Sequence, residues 1–154
     1  MNREEILEAL NHDLRSELAA IEIYAAHARA LADDPLSEGI RAILAVEQRH
    51  ARDLTDRIRA LGGTPAEPGG LETVTGRAVG AATAQADPVE MLRLELSEEQ
   101  QAIRDYASQI AAIMDDDETV ELLTQNMEDE MQHARWLKAQ IRRPPTPRPI
   151  QEDP

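Results

Sequence analysis

The chain has no cysteine and no phenylalanine, a single tryptophan, two tyrosines and one lysine in 154 residues. Without cysteine, disulfides, zinc–thiolate sites, iron–sulfur clusters and thiol nucleophiles are all excluded, and redox chemistry leaves the compartment unmarked. The shortage of aromatics dictates an aliphatic core, and the abundance of Ala, Leu, Ile, Glu and Arg favours helix over sheet. With one lysine and a net charge of −14, the surface cannot offer the clustered cations that neutralise phosphates, so nucleic acid is not an expected partner. No run approaches the ~20 apolar residues of a membrane span, and residues 1–20 carry charges throughout in place of a signal-type apolar stretch. A cytoplasmic chain with no membrane partner is therefore expected.

What is present is a hexapeptide that occurs twice, Glu47-Gln48-Arg49-His50-Ala51-Arg52 and Glu130-Met131-Gln132-His133-Ala134-Arg135. Each copy contains Glu-x-x-His. On a helix, residues three apart lie about 60° apart on one face, so each copy can present a carboxylate and an imidazole to one point.

The chain around these copies reads as four helices. Asn2 with Glu5 three places on has the form of a capping box, and Ile6, Leu10, Leu14, Leu18 and Ile21 then recur at helical spacing, which predicts a first helix over about residues 3–32. Asp34-Pro35 predicts the start of a second helix, ending at Gly62-Gly63. Residues 63–87 hold five of the seven glycines with only weak periodicity and read as one long connection. Asp87-Pro88 opens a third helix to about Met114, and the acidic stretch Asp115–Glu118 opens a fourth to about Ile141. The expected domain is thus an all-α four-helix bundle over residues 1–141, two antiparallel hairpins joined by a long crossover. An extended Pro-rich tail follows at 142–154 and is a candidate docking peptide for a larger assembly.

Sliding the chain against itself by 82 residues aligns Leu10 with Leu92, Asp13 with Glu95, Glu17 with Glu99 and Tyr24 with Tyr106; an offset of 83 aligns the two hexapeptides. The repeat nominates Glu17 and Glu99 as one more carboxylate per half. Glu17 lies level with Glu47 in the first hairpin and Glu99 with Glu130 in the second, each roughly 20 Å from its turn. If the hairpins meet head to tail, Glu17, Glu47, His50, Glu99, Glu130 and His133 converge at mid-bundle. Four carboxylates and two imidazoles balance two divalent cations, with Glu47 and Glu130 as the expected bridging pair; such O/N ligands suit iron or manganese, and zinc also occupies sites of this kind. Crowding is expected to raise the pKa values of the four carboxylates. Glu95, one turn before Glu99, is an alternative ligand, a neighbouring or metal-access group, or a surface acid, and Asp13 has the same last two readings. His12 and His27 lack the preceding Glu and read as surface or core-edge residues. Met127, Met131 and Trp136 read as packing residues, with a redox relay as a second role for Trp136.

In the segments Glu17-Leu18-Ala19-Ala20-Ile21-Glu22-Ile23-Tyr24, Glu47-x-x-His50, Glu99 and Asp129-Glu130-x-x-His133, the chain resembles the ferritin-like di-iron proteins, bacterioferritin-type chains above all, over about residues 3–141. The resemblance implies terminal carboxylates at Glu17 and Glu99, bridging ones at Glu47 and Glu130, and one imidazole per metal. It also implies that Tyr24 and Tyr106 hydrogen-bond to carboxylates across the bundle, and that Asp129 fixes an imidazole; the helix-2 equivalent of Asp129 is Val46, so the two metals are expected to be inequivalent. Gln48 stands where bacterioferritins carry a haem-ligating methionine, so no haem is expected there. The tail replaces the fifth helix usual in storage cages, which puts a 24-subunit shell in doubt, although a homo-oligomer is still expected.

The function this implies is oxidation of Fe(II) by dioxygen or hydrogen peroxide, that is, ferroxidase activity serving iron storage or detoxification. Two other functions fit the same ligand set: peroxide removal, as in rubrerythrin-like peroxidases or manganese catalases, and a non-enzymatic helical module with a structural metal site.

Overall fold

The computed structural model describes residues 1–143, so the expectation for the tail lies, from residue 144 onward, outside the described residues. Five helices are formed: α1 (Arg3–Ala30), α2 (Ser37–Ala60), α3 (Leu71–Thr83), α4 (Pro88–Ala112) and α5 (Asp117–Ile141), with no strand among the described residues. The predicted punctuation accounts for most ends. Asn2 accepts from the Glu5 backbone while the Glu5 side chain accepts from the Asn2 backbone, a complete capping box. Asp87 caps α4 ahead of Pro88, and Asp116 caps α5 by accepting from Thr119 N–H. At the end of α2, Gly62 takes φ +75°, its N–H donates to Arg59 O and the Gly63 N–H donates to Ile58 O, the paired bonds of a Schellman turn. α2 begins two residues after Pro35, because Asp34 Oδ1 receives the Leu36 N–H and closes a turn before the helix starts.

The bundle is the expected pair of hairpins: α1 packs on α2, α4 packs on α5, and the hairpins meet through α1 with α4 and α2 with α5. Its core is aliphatic and falls into two clusters. One gathers Ile6, Leu10, Leu14, Leu54, Ile58 and Leu123 at one end; the other gathers Leu31, Ile40, Ile43, Met91, Leu92 and Leu137 at the opposite end. Among the described residues no helix is long and apolar enough to cross a membrane.

The long connection read over residues 63–87 contains a helix that the sequence reading did not separate, α3. The helix escapes detection because its inward face carries Thr73, Gly76 and Gly80, where an apolar stripe would be expected. These small residues let its backbone lie directly on α1: a Cβ on Gly76 would stand 2.5 Å from Ala19 O. Gly76→Ala should therefore lower the unfolding free energy by about 2 kcal/mol, as overpacking does. Urea denaturation checks this, and an unchanged midpoint would show that α3 is not held by this close approach. Trp136 packs into space left by Gly39 on α2, as expected of a packing residue. Met127 packs against the core as expected, but Met131 is 41 % exposed and does not.

Candidate metal centre

Between the two apolar clusters lies a polar layer. Glu17, Glu47, His50, Glu99, Glu130 and His133, all buried, project into it from four helices. They form two overlapping groups whose nearest ligand-type atoms lie within 4.8 Å of one another: Glu17, Glu47, His50 and Glu130 in one, and Glu47, Glu99, Glu130 and His133 in the other. Glu47 and Glu130 belong to both. Glu130 reaches both imidazoles, Oε1 lying 3.1 Å from His50 Nδ1 and Oε2 lying 3.2 Å from His133 Nδ1. His133 Nδ1 is also 3.1 Å from Glu47 Oε1 and 3.2 Å from Glu99 Oε2, and the ring centroids are 6.4 Å apart.

Further side chains hold this layer in place. Tyr106 O–H donates to Glu17 at 2.5 Å and Tyr24 O–H donates to Glu99, so each half's tyrosine holds the other half's carboxylate. Burial, then the neighbouring Glu99 for Tyr24 and Glu17 for Tyr106, pushes both phenols well above their usual range and keeps them as donors. His50 Nε2 lies 3.3 Å from Asp129 Oδ2, and Asp129 is itself paired with Arg49. Donation from Nε2–H to Asp129 fixes the ring so that Nδ1 faces Glu17 and Glu130. Across the pseudo-symmetry axis His133 has no such carboxylate, since its counterpart position is Val46.

The charges are unevenly distributed. Burial, then Glu17 and Glu130, pushes Glu47 well up; burial, then Glu130, raises Glu99. Glu130 departs from the expectation that all four carboxylates rise. Burial pulls it up, but its close approach to Glu99, His133 and His50 outweighs this and holds it below the usual range. The imidazoles respond in kind: burial would lower both, yet Glu130 and Glu17 push His50 up to about 10, and Glu130, Glu47 and Glu99 push His133 up to about 12. The metal-free centre is thus an anion-rich cluster that retains protons on its nitrogens.

A cavity of about 60 Å³ opens between α1 and α4, with Glu17, Glu47, Glu99 and Glu130 at its inner end and the more exposed Ser16, Glu98, Gln101 and Asp105 toward solvent. Glu95 lies outside this group: it is buried and bonded to His27 at 2.8 Å, so between the two helix-α4 candidates Glu99 is the one brought to the cluster. His27 corrects the sequence reading. It is fully buried, because Glu95 and Thr83 satisfy both ring nitrogens. Asp13, read as a neighbouring or metal-access group or a surface acid, is buried against Gln109, whereas His12 is exposed as expected, 3.6 Å from Asp105. Arg49 is the neighbour missed by sequence reasoning; only the approach of α5 to α2 reveals its partner.

The ferritin-like domain family matches residues 7–145 of this chain. No curated protein matches by sequence. Among solved structures, Rhodobacter capsulatus bacterioferritin, determined with a metal-free dinuclear site and haem iron in a crystallographic special position, superposes with a TM-score of 0.73 at 26% identity. The match covers 90% of this chain and 84% of that one. A fold shared along nine-tenths of the chain, a carboxylate and histidine cluster consistent with a di-iron site, and a family match over nearly all residues lead to one assignment: the chain belongs to the ferritin-like domain family.

Proposed function

We propose that this protein binds two Fe(II) ions per chain at Glu17, Glu47, His50, Glu99, Glu130 and His133 and oxidises them with dioxygen or hydrogen peroxide, as a ferroxidase serving iron storage or detoxification. Glu130 carries the reading: one buried carboxylate aims one oxygen at each of two imidazoles, the arrangement a bridging ligand needs. The donor set fits the ions, since Glu47 Oε1, Glu130 Oε1 and His50 Nδ1 are buried without hydrogen-bond partners, groups that a cation would satisfy. Manganese suits the same donors.

In this reading Fe(II) is the substrate, and each ion gives one electron to the oxidant. Glu47 and Glu130 set the spacing of the two ions, Glu17 with His50 completes one set of donors, and Glu99 with His133 completes the other. Tyr24 and Tyr106 fix the terminal carboxylates by hydrogen bonds. The acidic cavity between α1 and α4 attracts cations, and its size admits water-sized molecules, which suits dioxygen or peroxide. Residues 1–141 form the working unit, the chain assembles as a homo-oligomer, and Gln48, exposed on α2, provides no haem ligand.

Anaerobic Fe(II) titration should saturate at two ions per chain, and mixing with dioxygen or peroxide in a stopped flow should then oxidise both. Catalytic loss of peroxide with no net Fe(II) oxidation would overturn the proposal in favour of peroxide removal; tight binding with no turnover would leave a structural site. Because Asp129 supports only His50, Asp129→Ala should weaken one of the two binding steps by about 10-fold or more and spare the other. Equal weakening of both steps in Co(II) titrations would refute that asymmetry.

A further inference from the structure

α1 and α4 face each other along four side-chain rungs: Asp13 with Gln109, Glu17 with Tyr106, Tyr24 with Glu99, and His27 with Glu95. The 82-residue offset exchanges the two inner rungs, and it also exchanges the two outer ones, since Asp13 maps to Glu95 and His27 to Gln109. Both outer carboxylates are buried, and each has one oxygen, Asp13 Oδ2 and Glu95 Oε2, with no hydrogen-bond partner.

The outer rungs differ in what they can pass on. The Gln109 amide donates to Asp13 Oδ1 at 2.7 Å and can do no more, because an amide does not exchange a proton between its ends. His27 has two ring nitrogens, one 2.8 Å from Glu95 Oε1 and the other 2.7 Å from Thr83 Oγ1 at the half-buried C-terminal end of α3. Thr83 Oγ1 is also 2.7 Å from Val79 O. A hydroxyl has one proton, so the His27–Thr83 bond can run in either direction, and the following two arrangements differ by one proton. In the first, protonated Glu95 donates to Nδ1, Nε2–H donates to Thr83, and Thr83 O–H donates to Val79 O. In the second, Nδ1–H donates to ionised Glu95 and Thr83 O–H donates to Nε2. Passing from the first to the second, Glu95 gives a proton to Nδ1, Nε2 gives one to Thr83, and Thr83 releases its own to solvent. One proton leaves and no electron moves.

We propose that Glu95, His27 and Thr83 form a proton path between the metal centre and solvent. Glu95 is one helical turn, about 6 Å of rise, from Glu99. Metal binding to a cluster of carboxylates and imidazoles displaces protons; apolar clusters close the two ends of the bundle, and the cavity between α1 and α4, the entry for the ions, is the other opening of the polar layer. Burial raises Glu95 against the lowering pull of His27. The path rests on the ligand set proposed above, but its operation needs no oxidation.

The test uses Co(II), which is redox-inert here, with a pH indicator in a stopped flow: the visible cobalt absorption reports binding and the dye reports proton release. In the wild type the two signals should rise together. His27→Gln, which copies the Gln109 rung, and the isosteric Glu95→Gln should give the same final cobalt spectrum, with proton release slowed by on the order of 10-fold or more. Asp13→Asn should keep wild-type timing, because its rung leads nowhere. Concurrent release in both path variants, an equal lag in Asp13→Asn, or an altered cobalt spectrum in the path variants would overturn the path and leave the ferroxidase reading standing. Failure of the wild type to bind Co(II) would overturn both.

Discussion

Glu130→Ala should reduce Fe(II) oxidation by on the order of 100-fold or more, the upper end of what losing even an indirect partner of a metal costs. The expectation follows from position: Glu130 is the residue that lies within 3.2 Å of both imidazoles, one oxygen to each, so its loss should affect both of the proposed ions at once. Removing Glu17 or Glu99 affects one group of donors only. Glu130→Gln keeps the shape, removes the charge and should lose most of the activity as well. Far-ultraviolet circular dichroism should show both variants still helical, since two separate aliphatic clusters hold the bundle. Oxidation at the wild-type rate in folded Glu130→Ala would refute the proposed ligand set.

Adding Fe(II) anaerobically should raise the melting temperature by about 10 °C: free metal at 1,000 times its dissociation constant stabilises by ~4 kcal/mol, and each kcal/mol moves a domain of this size by ~2–4 °C. The effect should grow with pH. His50 and His133, pushed up to about 10 and about 12 in the metal-free protein, are protonated at pH 7 and must lose protons to bind. Their contribution to metal-free stability is complete below the ordinary imidazole value near 6.5 and is lost as pH rises through the raised values. Glu47 and Glu99, also raised, cost stability as pH climbs above the ordinary carboxylate range. Both effects weaken the metal-free bundle at higher pH, where metal binds better. Melting curves with and without metal at pH 6 and pH 8 test this, and an equal gap at both values would contradict protonated imidazoles at the centre.

The features legible in the sequence were those generated by one helix at a time. The Glu-x-x-His spacing, the capping box at Asn2 and the Asp87-Pro88 start are local, and the 82-residue offset turned them into a level set of six groups without coordinates. Three features required a second helix. α3 showed only a weak apolar period because it is seated by Gly76 and Gly80 against the backbone of α1. His27 looked peripheral because its partners, Glu95 and Thr83, come from α4 and α3. Arg49 drew no reading from its own helix, because its partner Asp129 comes from α5. The repeat did contain a further signal: Asp13 with Gln109 and Glu95 with His27 share the antiparallel register of the two tyrosine rungs, and a polar residue in that register has a partner waiting.

The division of the hydrophobic core into two clusters has a dynamic consequence. Each cluster draws on both hairpins but occupies only one end of the bundle, so neither end depends on apolar contact with the other. Such ends open as separate cooperative units, and amide exchange should resolve them. If the seam between them holds cations as proposed, an opening at one end should spread to the other, and without cations the two ends should exchange independently.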